Sequence, residues 1–336
     1  MDLPVTYPQG LVRRRYLVPA VVATALSLVL WTDQEAGERL SAALGRVPWL
    51  GVSAVALTLA LTWAHFALAA VAVRAASGLP LPLGEATSSQ LASSAFNRIL
   101  PSGIGGAAVN ARYLTRRGLP LGSALAAIGT LGVLGAAADL AATALIVAVG
   151  RFVGLGGGTN ELRLLATNGL RLSGGARIAG PAIAALVVAT AGTTAFRQIR
   201  RRRHATGPAT GDWWRHLAAL ARRPRRTSAL MLSSAGTTVV LAVAFAVVVR
   251  AVAGATTLPV AALLVAYLVG AAAASAAHVP AIAGGTELAL TAALVASGLA
   301  AGPALAAVLV FRGLTFWAPL PAGLVAARGL RRRGAL

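Results

Sequence analysis

Pro280-Ala281-Ile282-Ala283-Gly284-Gly285 interrupts an apolar run, Leu258–Ala277, that resumes at Thr286. Proline removes a backbone donor and glycine favours turns, so a helix entering this stretch has to break. Broken backbone at membrane depth is tolerated only where protein or a water-filled cavity satisfies its polar groups. A second stretch behaves alike: Glu85–Leu100 runs into Pro101-Ser102-Gly103-Ile104-Gly105-Gly106. Both read as re-entrant hairpins.

The remaining apolar runs are Leu17–Trp31, Trp49–Val73, Pro120–Gly150, Ile178–Phe196, Ala229–Val249, Thr286–Leu299 and Pro303–Ala327. Most approach the roughly twenty residues that cross a bilayer core. Hydrophobic residues make up 57% of the chain and charged ones 12%, about half the usual globular share. The predicted fold is an all-α polytopic membrane protein, 1–336 forming a single transmembrane domain.

Net charge is +21 and every one of the thirty basic residues is arginine. Arginine-only usage with abundant alanine and glycine points to a GC-rich source genome, so no chemistry is read into arginine over lysine. The charge lies in short loops between apolar runs, the positive-inside pattern, which points away from nucleic acid. Arg13 to Arg15, Arg74, Arg116, Arg117, the run from Arg197 to Arg226 and the tail from Arg328 to Arg333 fall on one side. The other side holds fewer arginines together with Asp33, Glu35, Glu38 and Glu161. This predicts an inner-membrane protein with both termini cytoplasmic, a retained first span after Arg15, about six full spans and two hairpins entering from opposite faces. The basic cytoplasmic loop, 197–228, carries Trp213-Trp214 and reads as topology signal or a segment lying on anionic lipid.

The two breaks belong to a repeat. Residues 118–128 align with 298–308 at seven of eleven identical positions, and a one-residue shift superposes Pro101, Gly105 and Gly106 on Pro280, Gly284 and Gly285. Two halves, 11–150 and 178–330, each read span, span, broken hairpin, span, starting on opposite sides. Inverted halves with broken helices meeting near the midplane are a transporter architecture.

Ionisable residues in apolar segments are costly and mark function by default. Glu287 opens a half-helix that Thr286 or Gly285 could cap, and faces a cavity or complements the helix dipole. His278 precedes the same break and shares a proton with Glu287 or satisfies loose backbone. Arg312 lies too deep to snorkel and needs a partner: Glu287, Asp139 or an anionic ligand. Arg98 and Arg112 flank the first break, with Asn97 beside them, and together with helix N–H groups suit a phosphate. Asp139 sits mid-span and pairs with a basic residue or serves transport. His65 reads as a packed, hydrogen-bonded histidine. There is no Cys, no His-x-x-x-His pair, no Gly-x-Ser-x-Gly, no phosphate loop and no acidic metal pair, so neither cofactor nor metal is expected.

These residues resemble the lysylphosphatidylglycerol synthase transmembrane-region family, also called the flippase-like domain. The element Pro280 to Glu287, the last span with Arg312 and Phe316-Trp317-Ala318-Pro319, and in the first half Asn97-Arg98-Ile99-Leu100-Pro101 carry the resemblance, over about residues 15–333. The family's Glu-Arg pair ahead of an Asp is incomplete here: Asp139 remains, but Gly132 to Ala138 holds no Arg. The resemblance implies translocation of a lipid or lipid-linked headgroup, the partners being membrane lipids with an anionic or aminoacylated headgroup or a lipid-linked sugar. No lysyl-transferring domain is expected within these residues. The alternatives are a membrane-embedded transferase-type enzyme, or a non-catalytic anchor for a cytoplasmic partner enzyme; an oligomer stays open.

Overall fold

The computed structural model describes residues 50–99, 104–152, 218–220, 222–254, 258–276 and 284–336. The expected spans Leu17–Trp31 and Ile178–Phe196, most of the basic loop, and Pro101, Pro280 and His278 lie outside the described residues. What is described is helical: α1 (Leu50–Ser77), α2 (Leu83–Ile99), α3 (Ile104–Arg116), α4 (Leu121–Phe152), α5 (Pro224–Ala253), α6 (Val260–Ala276), α7 (Gly285–Ala296), α8 (Ala301–Arg312), a π-helical turn (Gly313–Trp317) and α9 (Pro319–Arg332).

Four stretches among the described residues are long and apolar enough to cross a membrane: Gly51–Ser77, Leu121–Ile146, Pro224–Ala253 and the continuous Ala301–Arg332. Large apolar side chains point outward from them, among them Val52, Trp63, Leu145, Leu232 and Val325. In water such a surface would aggregate; in lipid it is the solvated face. The chain is a membrane protein.

Between the long helices lie two pairs of short ones. At 1.5 Å per residue the 17-residue α2 and α6 reach only about 25 Å, and the 13-residue α3 and 12-residue α7 about 20 Å. Each pair packs arm against arm, α2 on α3 and α6 on α7. The base of the α2/α3 hairpin is tied by an ion pair between Glu85 and Arg117.

The order long helix, hairpin, long helix occurs twice, and the packing repeats with it. Each hairpin's first arm packs on its own half's first long helix and on the other half's last one: α2 on α1 and α9, α6 on α5 and α4. The first long helices of the two halves, α1 and α5, share an extensive interface. The aligned sequence blocks fold identically: α3 ends at Gly118 (φ 91°) with Leu119 N–H donating to Leu114 O, and α7 ends at Gly298 (φ 102°) with Leu299 N–H donating to Leu294 O. Both are left-handed glycine C-caps of the Schellman type.

Following the chain direction places both ends of the bundle. Leu81, Tyr113, Leu114, Ala124, Leu330 and Leu336 share one cluster, so the start of α2, the ends of α3 and α9 and the start of α4 lie together. The α2/α3 hairpin opens there, amid Arg116, Arg117 and Arg331 to Arg333, and the α6/α7 hairpin opens at the opposite end.

The second core cluster gathers α5, α6, α7 and α8 around three aromatic rings: Phe245, Tyr267 and Phe311 lie 5.1–5.8 Å apart in tilted and edge contacts. Two glycines allow close approach. A Cβ at Gly270 would come 3.0 Å from Leu290 Cα, and one at Gly323 would overlap the Leu91 carbonyl and come 2.8 Å from Ala95 Cβ.

Candidate functional site

Described residues from both hairpins and from three of the long helices line a cavity of about 150 Å³. α1 contributes Thr62, His65 and Phe66, α2 Ser94 and Arg98, α5 Leu241, and α6 Tyr267 and Ala271. α7 contributes Thr286 and Leu290, α8 Phe311 and Arg312, and the π-helical turn Thr315 and Phe316. Arg98 is the penultimate residue of α2, and Thr286 belongs to the first turn of α7.

Arg312 Nε donates to Glu287 Oε1 at 2.7 Å, and both side chains are largely shielded. Of the three partners open to Arg312 on sequence, Glu287 is the one found. Among the described residues, the neighbouring nitrogen, Nη2, is buried without a hydrogen-bond partner, and so is Glu287 Oε2. Such groups cost free energy unless a ligand or water meets them.

Arg98 approaches from the other hairpin. Its guanidinium carbon lies 4.4 Å from the Phe316 ring centroid, and that of Arg312 lies 4.0 Å from the same centroid. One aromatic ring thus carries two cations, an arrangement that a ring quadrupole supports and charge repulsion opposes. Arg98 Nη2 donates to Thr315 O at 3.3 Å, while Nη1 is buried with no partner among the described residues.

The π-helical turn creates that acceptor. Pro319 has no N–H, so Thr315 O lacks its usual donor four residues on. Ala318 N–H reaches back five residues to Gly313 O at 2.8 Å, and the helix carries an extra residue per turn there. Sequence reading takes Pro303–Ala327 as one regular span and misses this turn. The signal was Pro319 itself, inside an apolar helix and seven residues after a buried arginine.

Asn97 closes the first break. Its Oδ1 accepts Gly106 N–H at 2.6 Å, satisfying one of the orphan donors in the first turn of α3. A Cβ at Gly106 would come 2.6 Å from Asn97 Nδ2, so the small residue makes room for this cap. Gly105 and Gly106 lie within α3 and are buried; they are not the break itself, as the sequence suggested. In the second hairpin Gly284 (φ 75°) is the N-cap of α7 and Gly285 its first residue. No side chain caps that helix, which corrects the expected capping role of Thr286 or Gly285.

Arg112 does not join Arg98. Asn110, Tyr113 and Leu114 form the buried face of α3, and Arg112 lies off that stripe, exposed. The inward polar group of α3 is Asn110, whose Oδ1 accepts Gln90 Nε2 at 2.9 Å. Asp139 has no basic partner among the described residues: Thr238 Oγ1 donates to its Oδ1 at 2.5 Å. His65 is hydrogen-bonded as expected, Nδ1 lying 3.3 Å from Thr237 O, but it also lines the cavity, as do Phe316 and Tyr267, which composition alone does not single out.

Chemically the site offers two cationic donors and one carboxylate oxygen around a partly open cavity. That set fits an anionic group held by Arg98 and Arg312, with a hydroxyl or ammonium for Glu287 Oε2. A comparison with curated proteins finds no match to the chain. A family model described as the lysylphosphatidylglycerol synthase TM region matches residues 16–323, which include both hairpins and the whole cavity. The chain therefore belongs to the lysylphosphatidylglycerol synthase TM region family.

Proposed function

We propose that this protein translocates an amphipathic lipid, or a lipid-linked headgroup, between the leaflets of the bacterial inner membrane. The observation that carries the reading is a pair of buried guanidinium nitrogens, Arg98 Nη1 and Arg312 Nη2, that have no hydrogen-bond partner among the described residues and belong to side chains facing one cavity. A permanent structural pair would be saturated; open donors at this depth suit a transient anionic guest. Membership of the family and the lipid-facing surface support it.

In this reading the halves are an inverted repeat, α2/α3 and α6/α7 are re-entrant, and the arginine-rich end with both termini is cytoplasmic. The headgroup passes through the cavity while its acyl chains stay in lipid. Arg98 meets it from the cytoplasmic side and the Glu287–Arg312 pair from the other. A carrier needs no covalent step, and the chemistry is exchange of headgroup hydration for guanidinium contacts.

The test is reconstitution into vesicles with fluorescent anionic, zwitterionic and aminoacylated lipids. Wild type is expected to move one class, preferring an anionic group, and Arg98→Gln and Arg312→Gln to slow it by about tenfold or more, the worth of one charge-assisted hydrogen bond. Failure to move any class, with turnover of a lipid donor instead, would favour a membrane-embedded enzyme.

A further inference from the structure

Asp139 is the one ionisable residue in the apolar stretch Leu121–Ile146, and the cavity chemistry does not use it. It is half-buried, with Thr238 Oγ1 on its Oδ1 and Thr143 Oγ1 bonded to its backbone carbonyl at 2.8 Å. A carboxylate within a span is normally neutralised by a basic residue or by a proton. Glu287 illustrates the first solution, 2.7 Å from Arg312.

The helices packed on α4 are α1, α3, α5 and α6. On α5 the arginines stand near the two ends: Arg225 and Arg226 in the first turn, Arg250 in the last. On α3, Arg112, Tyr113 and Arg116 lie toward the basic end, and Arg74 is in the last turn of α1. None of these forms an ion pair with Asp139 among the described residues. The other titratable groups on these helices near the cavity are His65 on α1 and Tyr267 on α6.

A polar seam joins Asp139 to the cavity. The middle of α5 presents Ser234, Thr237 and Thr238 in an apolar helix. Thr237 O meets the cavity-lining His65, and the adjacent Thr238 holds Asp139. A change of charge at Asp139 is thus one residue of α5 away from a wall of the headgroup site.

We infer that Asp139 is a proton-binding site that couples the transmembrane proton gradient to the cavity. The proton adds to Oδ2, the oxygen Thr238 leaves free, converting carboxylate to carboxyl; it enters from one aqueous face and leaves to the other, with no other reactant. The coupling rests on the translocation reading, and the proton site itself does not.

Two measurements on the full chain test it. Infrared titration of purified protein in nanodiscs from about pH 5 to about pH 9 is expected to show a protonated-carboxyl band that is missing in Asp139→Asn and displaced in Thr238→Val. Vesicles holding a one-unit pH gradient are expected to accumulate fluorescent phosphatidylglycerol in one leaflet, approaching about tenfold for one proton per lipid. Asp139→Asn is expected to equilibrate the lipid evenly at a rate close to wild type. A band unchanged in Asp139→Asn overturns the proton site. An even wild-type distribution despite the gradient, with lipid still moving, overturns the coupling. An Asp139-dependent band in a protein that moves no lipid overturns the translocation reading and leaves the proton site standing.

Discussion

Arg98 and Thr315 stand 217 residues apart in sequence, and the carbonyl of one accepts the guanidinium of the other at 3.3 Å because Pro319 cannot claim it. A missing N–H in the last long helix thereby becomes an anchor for the first hairpin. Pro319→Ala restores the donor, and the π-helical turn is expected to relax to regular α-helix. Arg98 loses its acceptor, and lipid transfer in vesicles is expected to fall by about tenfold while the melting temperature in detergent holds or rises. Unchanged transfer would show that the Thr315 carbonyl does not position Arg98.

The Glu287–Arg312 pair makes a different prediction, about stability. Removing one member leaves a shielded charge alone. Glu287→Ala and Arg312→Ala are each expected to destabilise the protein by about 3–5 kcal/mol, and the double variant by clearly less than their sum. Thermal unfolding of the three variants in one detergent measures the coupling; additive losses would mean that the two side chains act independently.

Asn97→Ala removes the acceptor for Gly106 N–H and leaves a donor at the start of α3 unmet. A loss of about 1–3 kcal/mol is expected. Hydrogen exchange should localise it to the first turn of α3, with the α6/α7 hairpin unaffected; uniform exchange across the protein would argue against a local cap.

Gly323 lets α9 lie directly on α2, the arm that carries Arg98. Gly323→Val is expected to wedge these helices apart, costing about 1–3 kcal/mol as overpacking does. Gly329→Ala, on the same helix with open space at its Cβ position, is the control and is expected to be neutral or slightly stabilising. Equal behaviour of the two variants would remove the close approach from the account.

How far these features could be read beforehand depends on where their cause lies. The matching helix ends were legible because Gly118-Leu119 and Gly298-Leu299 are local C-caps, fixed by residues next to each other. The broken elements were legible because helix interruption is also local. The Glu287–Arg312 pair followed from cost: a deep arginine needs an anion, and few were on offer. That Arg112 stands apart from Arg98 was not legible, because its facing is set by the phase of α3, and that phase depends on where the helix restarts after the break. His65 and Phe316 were not separable from ordinary core residues, since what makes them part of the site is the convergence of α1, α2 and the last span, which no short stretch encodes. The π-helical turn needed both Pro319 and the knowledge that an arginine 217 residues away would take the vacated carbonyl.

The repeat is symmetric in its caps and its packing, but its charge is not. Aligning residues 118–128 with 298–308 sets Gly132 opposite Arg312, and the hairpin alignment sets Ala108 opposite Glu287. If the protein carries a headgroup across the membrane as proposed, an anion arriving from the basic end encounters a guanidinium with no carboxylate beside it, whereas one arriving from the far end encounters the Glu287 carboxylate beside Arg312. The two entry barriers are unequal, so the rates of loading from the two faces differ. Microscopic reversibility requires each exit to be slowed as much as the matching entry. Lopsidedness of this kind sets how fast the leaflets equilibrate and from which side inhibitors bind; by itself it cannot set which leaflet fills.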